Sequence, residues 1–470
     1  MQFIQKISVD KRCNAILSVL IVFSGVFLHL PIWHFKYLYM ICAGCVSALA
    51  CIKICLDGSI KSWIKENWVY LIFVVYLFLL VTVKKLIQIR NGTMDSIITG
   101  YGEPLYALFA LLFFGAFSKK KIKLFMLAFV GTYVVVYSST GFYSLYDVGN
   151  VCRSISLYEN PNILSVYAVV SLAFSILLAV QTLKPVVRCF FALCGALSVS
   201  AIINSSSRAM YLGIVAAALL FVAMIIYFRV VQKRRFRLTM KFLPYICVFL
   251  AASAIFIYVY RPLPERAIIN LVEDENVQET TATSATESEN LVDSSLQTTP
   301  EPENQETAVS NSSVLFGVDR ITNDEDLTIT ASATENIRFF IWKTYLDRVS
   351  LDTFWGSDPG TDTLYFEDYG RDYAPHNVLI YMLFLYGVPG LFLFLLLLIY
   401  FAKAFFTRKT FSVCYSVAVL CFFALLVYGM FHTVSKDAVF WCIVGLLKYV
   451  QQYGEGIKDF HESKKDSICN

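Results

Sequence analysis

The sequence is poor in charged residues and lacks the motifs of the common soluble enzymes. Only 16% of its 470 residues are charged and 57% are hydrophobic, whereas soluble domains are typically about a quarter charged and about half apolar. It has no phosphate-binding P-loop, no glycine fingerprint for dinucleotides and no zinc-protease helix motif. These absences argue against a nucleotide-consuming enzyme and against a zinc protease.

Cysteine is plentiful but absent where disulfides would form. Most of the 13 cysteines lie in apolar runs, and residues 261–375, the long polar segment, contain none. The sequence therefore gives no indication of extracellular disulfides. Cys42 and Cys45, and then Cys51 and Cys55, form two close pairs on one apolar run. We interpret them as small hydrophobic side chains rather than as metal ligands, and we predict neither a metal nor a cofactor.

Apolar runs long enough to cross a bilayer recur along the chain. The first, from Ala15 to Trp33, follows Lys6, Lys11 and Arg12 and lacks a small-residue cleavage site. It is interpreted as a membrane helix with a cytoplasmic N-terminus rather than as a signal peptide. The sequence predicts an all-α membrane protein with about twelve transmembrane helices. Their approximate bounds are 15–33, 36–56, 68–88, 98–117, 122–139, 161–181, 186–203, 208–228, 241–260, 377–405, 411–431 and 437–453.

The basic residues support this topology with one exception. Positive charge concentrates in the short loops that twelve spans place in the cytoplasm, as the positive-inside rule requires. These loops contain Lys61 and Lys65, Lys119–Lys121, Lys184 and Arg188, Lys233–Arg237, and Arg408 and Lys409. Lys84, Lys85 and Arg90 violate the rule, because they fall in a predicted outer loop. Either this segment is an amphipathic stretch at the interface, or the second and third spans are misplaced.

One large loop interrupts the predicted spans. Residues 1–260 form an N-terminal transmembrane bundle of about nine helices, residues 376–453 form the C-terminal transmembrane helices, and residues 454–470 form a cytoplasmic tail. The loop between the ninth and tenth spans, residues 261–375, carries about two-thirds of the 35 acidic residues. Because the loops on either side of these two spans are basic, we predict that it is extracytoplasmic.

This loop has two parts of different composition. Residues 273–313 are rich in Glu, Thr, Ser, Asn and Gln and nearly free of aromatic residues, so we predict that they are disordered. Residues 335–349 carry apolar side chains at helical spacing, which predicts an amphipathic helix. The apolar positions are Ile337, Phe340, Ile341, Tyr345 and Val349.

Arginines near membrane boundaries are the first candidates for function. Arg208 follows Ser205–Ser207 at the start of the eighth predicted span. It either extends its charge to the interface, or binds an anion that the three hydroxyl groups share. Arg338 lies on the polar edge of the predicted loop helix, where an arginine is usually only solvated. Arg266, Arg348 and Arg371 are further candidates for substrate binding, although anionic headgroups alone would explain Arg266.

His376 is the candidate general base. It is one of five histidines and stands between Pro375 and Asn377, where the chain enters the tenth predicted span. A histidine suits proton transfer near neutral pH, but it could equally be a polar helix-entry residue. His432 and His34 are weaker competitors, and Asn377 is a further substrate-binding candidate. Pro389 lies within the tenth span and removes a backbone donor, which predicts a kink.

Taken in order, these residues resemble the O-antigen ligase and O-antigen polymerase-like membrane glycosyltransferases. The resemblance runs roughly from Asn160 to Gly390. It rests on Asn160-Pro161-Asn162, Ser205-Ser206-Ser207-Arg208, Arg338 with Trp342, Gly356 to Gly360, His376-Asn377 and Gly387-Val388-Pro389-Gly390. Two features depart from the family pattern: the acidic, Thr-rich insert and the turn Trp355-Gly356-Ser357.

The resemblance implies transfer of a sugar chain from a polyprenyl-diphosphate carrier to an acceptor hydroxyl at the outer membrane face. It implies that Arg208 and Arg338 stabilise the leaving diphosphate and that His376 accepts the proton of the attacking hydroxyl. No metal or nucleotide is required. We therefore expect a multi-pass protein of the bacterial plasma or inner membrane. Its expected partners are the lipid-linked donor, a glycan acceptor and the bilayer, with a flippase and a chain-length regulator as further candidates and no nucleic acid.

Two alternatives stay open at this stage. Within the same family, a ligase that transfers a finished glycan to a lipid or protein acceptor would use the same parts as a polymerase of repeat units for a capsule or O-antigen. In another class, a transporter or lipid flippase would need charges near the bilayer midplane and broken helices in paired repeats. The candidate charges lie instead near the predicted outer boundary, which favours the glycosyltransferase.

Overall fold

A computed structural model describes most of the chain outside the acidic insert. The described residues are 11–29, 33–92, 100–142, 144–147, 151–158, 160–230, 243–262, 331–349, 354–358, 363–366, 371–406 and 413–453. The predicted disordered segment 273–313, the predicted tail 454–470 and Arg266 all lie outside these residues.

The described residues are mostly helical. Their helices are α1 (Lys11–Phe27), α2 (Trp33–Leu56), α3 (Ile60–Asn91), α4 (Gly102–Ala116), α5 (Lys119–Thr140), α6 (Pro161–Gln181), α7 (Pro185–Asn204), α8 (Arg208–Val230), α9 (Leu243–Val259), α10 (Ala331–Asp347), α11 (Val378–Phe406), α12 (Val413–Gly429) and α13 (Ala438–Tyr453). Short 3-10 helices cover Ser156–Tyr158 and Val434–Lys436.

Each predicted span overlaps one of these helices, but only some are long enough to cross a membrane. Seven helices qualify by length and composition: Leu38–Leu56, Ile60–Asn91, Lys119–Thr140, Pro161–Gln181, Pro185–Asn204, Arg208–Tyr227 and Val378–Lys403. Shorter apolar helices cover Ala15–Phe27, Gly102–Ala116, Leu243–Val259, Val413–Gly429 and Ala438–Val450. The protein is therefore a helical, multi-pass membrane protein, and the count of twelve spans stays a prediction.

Large apolar side chains are exposed along the helices. Along α8, Leu212, Val215, Leu219, Val222 and Ile226 recur at three- and four-residue spacing and are exposed, Leu219 by 67%. A water-soluble protein rarely exposes so continuous an apolar stripe. In a bilayer, this stripe faces lipid.

The core of the bundle is centred on α13. Every residue from Ala438 to Val450 is buried, and Trp441 is fully enclosed. Helices approach closely at glycines, as membrane helices commonly do. A Cβ atom added at Gly445 of α13 would lie 2.9 Å from the backbone oxygen of Ala110 in α4. Larger residues at such contacts would separate the helices.

Two short antiparallel hairpins were not predicted from the sequence. One joins β1 (Ser144–Asp147) to β2 (Val151–Ser154), and the other joins β3 (Leu364–Phe366) to β4 (Arg371–Tyr373). Each lies in a loop between helices, where the strands are too short to show a hydrophobic alternation. The first hairpin carries Arg153, which lies on β2 opposite Leu145.

The chain divides into two compact units. The larger comprises Met1–Ala267 and Phe340–Asn470, and the smaller comprises Ile268–Phe339. Helix α10 begins four residues before the predicted loop helix and ends two residues before its predicted end. In the larger unit, Ile341 and Tyr345 of α10 are buried, as an apolar face requires, whereas Phe340 is 41% exposed.

Candidate functional site

The ends of two helices bring several polar residues to one end of the larger unit. Gly213 of α8 packs against the backbone of Ala424 in α12, since an added Cβ would lie 2.5 Å from its oxygen. Five residues before Gly213, α8 begins at Arg208, and five residues after Ala424, α12 ends at Gly429. Arg153, which donates a hydrogen bond to the Ser205 carbonyl just before α8, also interacts electrostatically with Tyr428. The two helices therefore run antiparallel, and Arg208 lies at the end where α12 finishes.

We call the residues gathered there the polar end site. It comprises Arg153, Arg208, His376, Tyr428 and His432. Sequence reasoning named Arg208, His376 and His432, and did not name Arg153 or Tyr428.

Arg208 presents its charge outward at the first position of α8. Its side chain is exposed, and it makes no hydrogen bond or ion pair within the part of the chain that the structure describes. The preceding turn places Ser206 in the left-handed region with φ of 51°. A helix N-terminus carries partial positive charge from its free backbone N–H groups. Arg208 and this helix end together favour an anion.

Two of the three serines before Arg208 donate their hydroxyl groups to partners within the protein. The Ser205 hydroxyl donates to the Ile202 carbonyl at 2.8 Å, and the Ser207 hydroxyl donates to Asn162 Oδ1 at 2.8 Å. A serine has a single hydroxyl donor, so neither group donates to an anion in this arrangement. Instead, these two serines fix the turn that leads into α8.

Arg153 is the cation that sequence reasoning missed. It lies on β2, is half-buried, and its Nε donates to the Ser205 carbonyl at 3.0 Å. One terminal nitrogen lies 3.5 Å from Asn162 Oδ1, the atom that also accepts from Ser207. Arg153 thus ties the first hairpin to the starts of α6 and α8. A signal was present, because Arg153 is the only Lys or Arg between Thr140 and Pro161, in a predicted outer loop.

The structure brings two of the candidate histidines together. The rings of His376 and His432 have centroids 5.8 Å apart and meet edge to face. On its other side, His432 stacks on Tyr428 with a centroid distance of 4.7 Å. His376 is half-buried and has φ of 47°. A non-glycine residue in this region is held there by its surroundings, often at a functional site.

Asn377 serves the fold directly beside His376. Its Oδ1 accepts from the backbone N–H groups of Leu379 at 2.9 Å and Ile380 at 3.2 Å, which caps α11. Its Nδ2 donates to the Met430 carbonyl at 3.2 Å, and the side chain is buried. Asn377 therefore connects the start of α11 to the segment that carries His432. Its predicted contact with substrate stays a prediction.

A buried carboxyl group supports the segment after His432. Glu103 of α4 accepts hydrogen bonds from the hydroxyl groups of Tyr386 and Ser435, and it interacts electrostatically with Lys436. Trp441 Nε1 also donates to the Ser435 carbonyl at 2.8 Å. These contacts fix the 3-10 helix Val434–Lys436, which closely follows His432.

The other predicted site residues lie on α10, in the turn after it and on β4. Arg338 is half-buried on α10, in the smaller unit, and Arg348 is exposed in the turn that follows α10. Arg371 begins β4, with its backbone opposite Phe366. Within the described residues, no three His, Cys, Asp or Glu side chains are grouped so that they could hold a metal ion.

Comparison with known proteins agrees with the resemblance expected from the sequence. Residues 193–395 match a protein family described as O-antigen ligase. The matched region includes Arg208, Arg338 and His376, and it begins after the Asn160-Pro161-Asn162 motif. The chain matches none of the curated proteins. The expected resemblance is thus confirmed over residues 193–395, which are similar to the O-antigen ligase family.

Proposed function

We propose that this protein is a bacterial membrane glycosyltransferase that joins oligosaccharide repeat units carried on polyprenyl diphosphate. Its product is a cell-surface polysaccharide of the capsule or O-antigen type, built on the extracytoplasmic side of the plasma membrane. The observation that carries the proposal is the polar end site, to which the O-antigen ligase-like region, residues 193–395, contributes Arg208 and His376. There, a histidine in a strained backbone conformation lies at the same helix end as an exposed arginine.

The proposed reaction needs a base and a stabiliser of negative charge. The acceptor hydroxyl oxygen attacks the anomeric carbon of the donor sugar, and a new carbon–oxygen bond forms. The bond from that carbon to the diphosphate oxygen breaks, and its electron pair leaves with the polyprenyl diphosphate. His376 accepts the hydroxyl proton. The cleaved bond supplies the driving free energy, so no nucleotide takes part.

The arginines act on the leaving group. Negative charge develops on the diphosphate as its bond to the sugar breaks, and a guanidinium group placed there in advance lowers the barrier. Arg208 can do this because its head group is exposed and lacks a partner within the described residues. Arg338 has the same proposed role, on the resemblance alone. With arginines in this role, the reaction is proposed to be independent of metal ions.

The surroundings of His376 support its role as the base. Asn377 fixes the backbone on one side, and the His432 ring lies edge to face on another. A catalytic group that is held in place loses little motional freedom when the substrate arrives. Arg153, bonded to the turn before Arg208, is proposed to hold that turn in the orientation that presents Arg208.

Ligation of a finished glycan to a lipid or protein acceptor is the second candidate. It is favoured by the description of the matching family, O-antigen ligase. Polymerisation and ligation use the same donor chemistry and differ in the acceptor. The number of units transferred to each acceptor therefore separates them.

The test uses the purified full-length protein with a polyprenyl-diphosphate-linked repeat unit in the presence of a chelator. A ladder of products longer by whole repeat units is expected for polymerisation. A single transfer to an added lipid or protein acceptor would support ligation instead. The absence of any transfer by folded protein would overturn the proposal, and loss of transfer in chelator that a divalent ion restores would refute metal independence.

The matched variant for this assay is His376→Ala. Removal of a general base is expected to slow transfer by about 10²- to 10⁴-fold and to leave donor binding near normal. His432→Ala is the comparison, because His432 is the neighbouring imidazole. Full activity of His376→Ala, with loss of activity in His432→Ala, would move the base to His432.

A further inference from the structure

Helix α11 is interrupted, and the interruption exposes backbone carbonyls. Gly387 has φ of 71° and ψ of −175°, which are not helical. In a regular helix each carbonyl accepts from the N–H group four residues later. The Leu385 carbonyl has no such donor, because Pro389 lacks an N–H group. The N–H group of Val388 turns away from the Phe384 carbonyl and donates to the Phe354 carbonyl at 3.0 Å.

Other parts of the protein satisfy the carbonyls near this helix break, residues 384–389. The Ser357 N–H group donates to the Phe384 carbonyl at 2.7 Å, and the Tyr76 hydroxyl donates to the Tyr386 carbonyl at 2.7 Å. The Lys84 ammonium group reaches the Leu385 carbonyl at 3.4 Å. These hydrogen bonds stabilise the fold, because an unpaired backbone group inside a membrane protein costs free energy.

Lys84 also contacts the segment that fills the break. That segment, residues 354–358, is called here the docked turn. The Lys84 ammonium group donates to the Ser357 carbonyl and interacts electrostatically with Asp358. One ammonium group therefore bonds to both the docked turn and the helix break. Its partners, Ser357 and Leu385, lie 273 and 301 residues from Lys84 in the chain, so the sequence does not predict these contacts.

The docked turn fits the break with no spare room. A Cβ atom at Gly356 would lie 2.3 Å from the Leu385 oxygen, and one at Gly387 would lie 2.2 Å from the Phe354 oxygen. Both glycines have positive φ. The two backbones thus pack directly on each other, and a small displacement of the turn would break several hydrogen bonds together.

The helix break is connected to the candidate base through the first half of α11. His376 and Asn377 immediately precede that half-helix. The Tyr345 ring of α10 packs edge to face on Phe384 at 4.8 Å, and its hydroxyl donates to the Tyr373 carbonyl at 2.6 Å. The half-helix that follows His376 is thereby held at its far end by the docked turn and at its near end by Asn377.

We propose that Lys84 is a positioning residue, a clip that joins the docked turn to the helix break and so holds His376 in place. The effect on catalysis rests on the proposed function, whereas the clip itself is a property of the fold. This role accounts for Lys84, one of the three cations that violated the positive-inside rule. Helix α3 has 32 residues and is about 48 Å long, so it extends beyond the hydrocarbon, and near its end Lys84 is buried with backbone oxygens as partners.

Lys85 provides the matched control. It is adjacent to Lys84 and equally buried, but it makes no hydrogen bond or ion pair within the described residues. Lys84→Met and Lys85→Met each remove one buried positive charge and keep a long side chain. Only the first removes donors from the docked turn and the helix break. Lys84→Arg keeps a positively charged donor, so it tests whether another cation restores the contacts with the docked turn and the helix break.

The first measurement follows the docked turn without reference to glycan transfer. The Ser357 hydroxyl is buried and lacks a hydrogen-bond partner among the described residues, so a thiol in Ser357→Cys is expected to react slowly with a polar maleimide. Labelling is counted by mass spectrometry of the peptide that contains position 357, so the 13 native cysteines do not interfere. Trp355→Cys is the fast reference, because Trp355 is 57% exposed.

We expect faster labelling at position 357 only in the variant that loses the Lys84 contacts. Adding Lys84→Met should speed labelling at position 357 by about tenfold or more, since the lost hydrogen bonds lower the free energy of local opening. Lys85→Met should leave that rate unchanged, and Lys84→Arg should restore most of the protection. Equal labelling of the Lys84→Met variant and its Lys84 parent would overturn the clip.

The second measurement is glycan transfer. Lys84→Met is expected to lower kcat and leave the KM for the lipid-linked donor near its wild-type value, because the base is displaced and the donor-binding arginines are untouched. Lost activity with unchanged labelling would show that Lys84 contacts substrate and would overturn the clip. The labelling measurement tests the clip even if the wild-type protein transfers no glycan. A failure of the clip can therefore be distinguished from a failure of the proposed function.

Discussion

Two regions of the protein, the helix break in α11 and the polar end site, differ in how their polar groups are satisfied. At the helix break in α11, donors from the docked turn and from α3 complete the exposed carbonyls. At the polar end site, the turn before α8 is fixed by its own serines, while Arg208 is exposed without a partner among the described residues. The first region is a closed joint within the protein, and the second is open to a ligand.

This difference predicts where substitutions act. An unpaired backbone group within a membrane costs several kcal/mol, so changes at the helix break should lower the stability of the fold. An exposed arginine contributes little to folding, so changes at the polar end site should lower the rate of transfer. In our proposal, Lys84 is the group through which the closed joint acts on the open site.

The largest effect is expected for Gly387→Ala. A non-glycine residue at φ of 71° costs about 1–3 kcal/mol, and overlap of the new methyl group with the Phe354 oxygen adds about 1–3 kcal/mol more. The yield of folded protein and its stability should both fall. The yield of monodisperse protein and its thermal midpoint in detergent measure these two effects. Gly131→Ala is the control, because a Cβ there meets nothing within 4 Å, and it should leave the midpoint unchanged or slightly raised. Equal midpoints for the two variants would contradict a closed joint.

Arg208→Ala should lower the rate of transfer without lowering stability. Loss of a preorganised charge that faces the leaving diphosphate costs about 2–4 kcal/mol in the transition state, which corresponds to roughly 30- to 1000-fold in rate. Arg208→Lys should be nearly as slow, because lysine lacks the planar pair of donors. Initial rates at saturating donor measure the effect.

Arg229 supplies the control for this experiment. It lies in the last turn of α8 and is also exposed, so it is at the opposite end of the same helix. Arg229→Ala should keep the wild-type rate. If both variants were equally slow, the effect would come from general loss of positive charge rather than from the polar end site.

Asn377→Ala separates a structural role from a substrate contact. It removes a helix cap and one further hydrogen bond to Met430, which should lower the free energy of unfolding by about 1–2 kcal/mol. Asn377→Ser keeps a capping oxygen and should recover most of that loss. The thermal midpoint and the transfer rate are measured together. A serine variant as stable as wild type but as slow as the alanine variant would instead support the predicted substrate contact.

The sequence predicted the helices well because their signal is local. Apolar runs place each predicted span over an observed helix, and Pro389 predicted the kink that appears as the break at Gly387. The family resemblance named Arg208 and His376 as candidate site residues, because it rests on short motifs in a fixed order and needs no knowledge of the fold. The two hairpins were missed, since four-residue and three-residue strands carry no usable alternation.

Long-range pairings were beyond sequence reasoning. Lys84 looked like a violation of topology because its partners, Ser357 and Leu385, lie hundreds of residues later in the chain. Arg153 was not singled out in the sequence, and only the fold brings it to Ser205. Asn377 was predicted to bind substrate, and its hydrogen bonds to α11 and to Met430 could not be predicted from the sequence. In each case a polar side chain is explained by a backbone group that no local pattern specifies.

The smallest effects compare one hydroxyl group in each region. Tyr76→Phe removes the hydrogen bond to the Tyr386 carbonyl at 2.7 Å, and Ser207→Ala removes the one to Asn162 at 2.8 Å. Each should lower stability by about 0.5–1.5 kcal/mol. Only Ser207→Ala should also slow transfer, by roughly two- to tenfold, because Asn162 then holds Arg153 and the start of α8 less firmly. The Tyr76 hydroxyl bonds to the helix break, and Tyr76→Phe removes only that hydroxyl, so the Lys84 contacts stay in place. A slower Tyr76→Phe enzyme of unchanged stability would show that the break takes part in transfer directly, and the distinction between the closed and the open region would then fail.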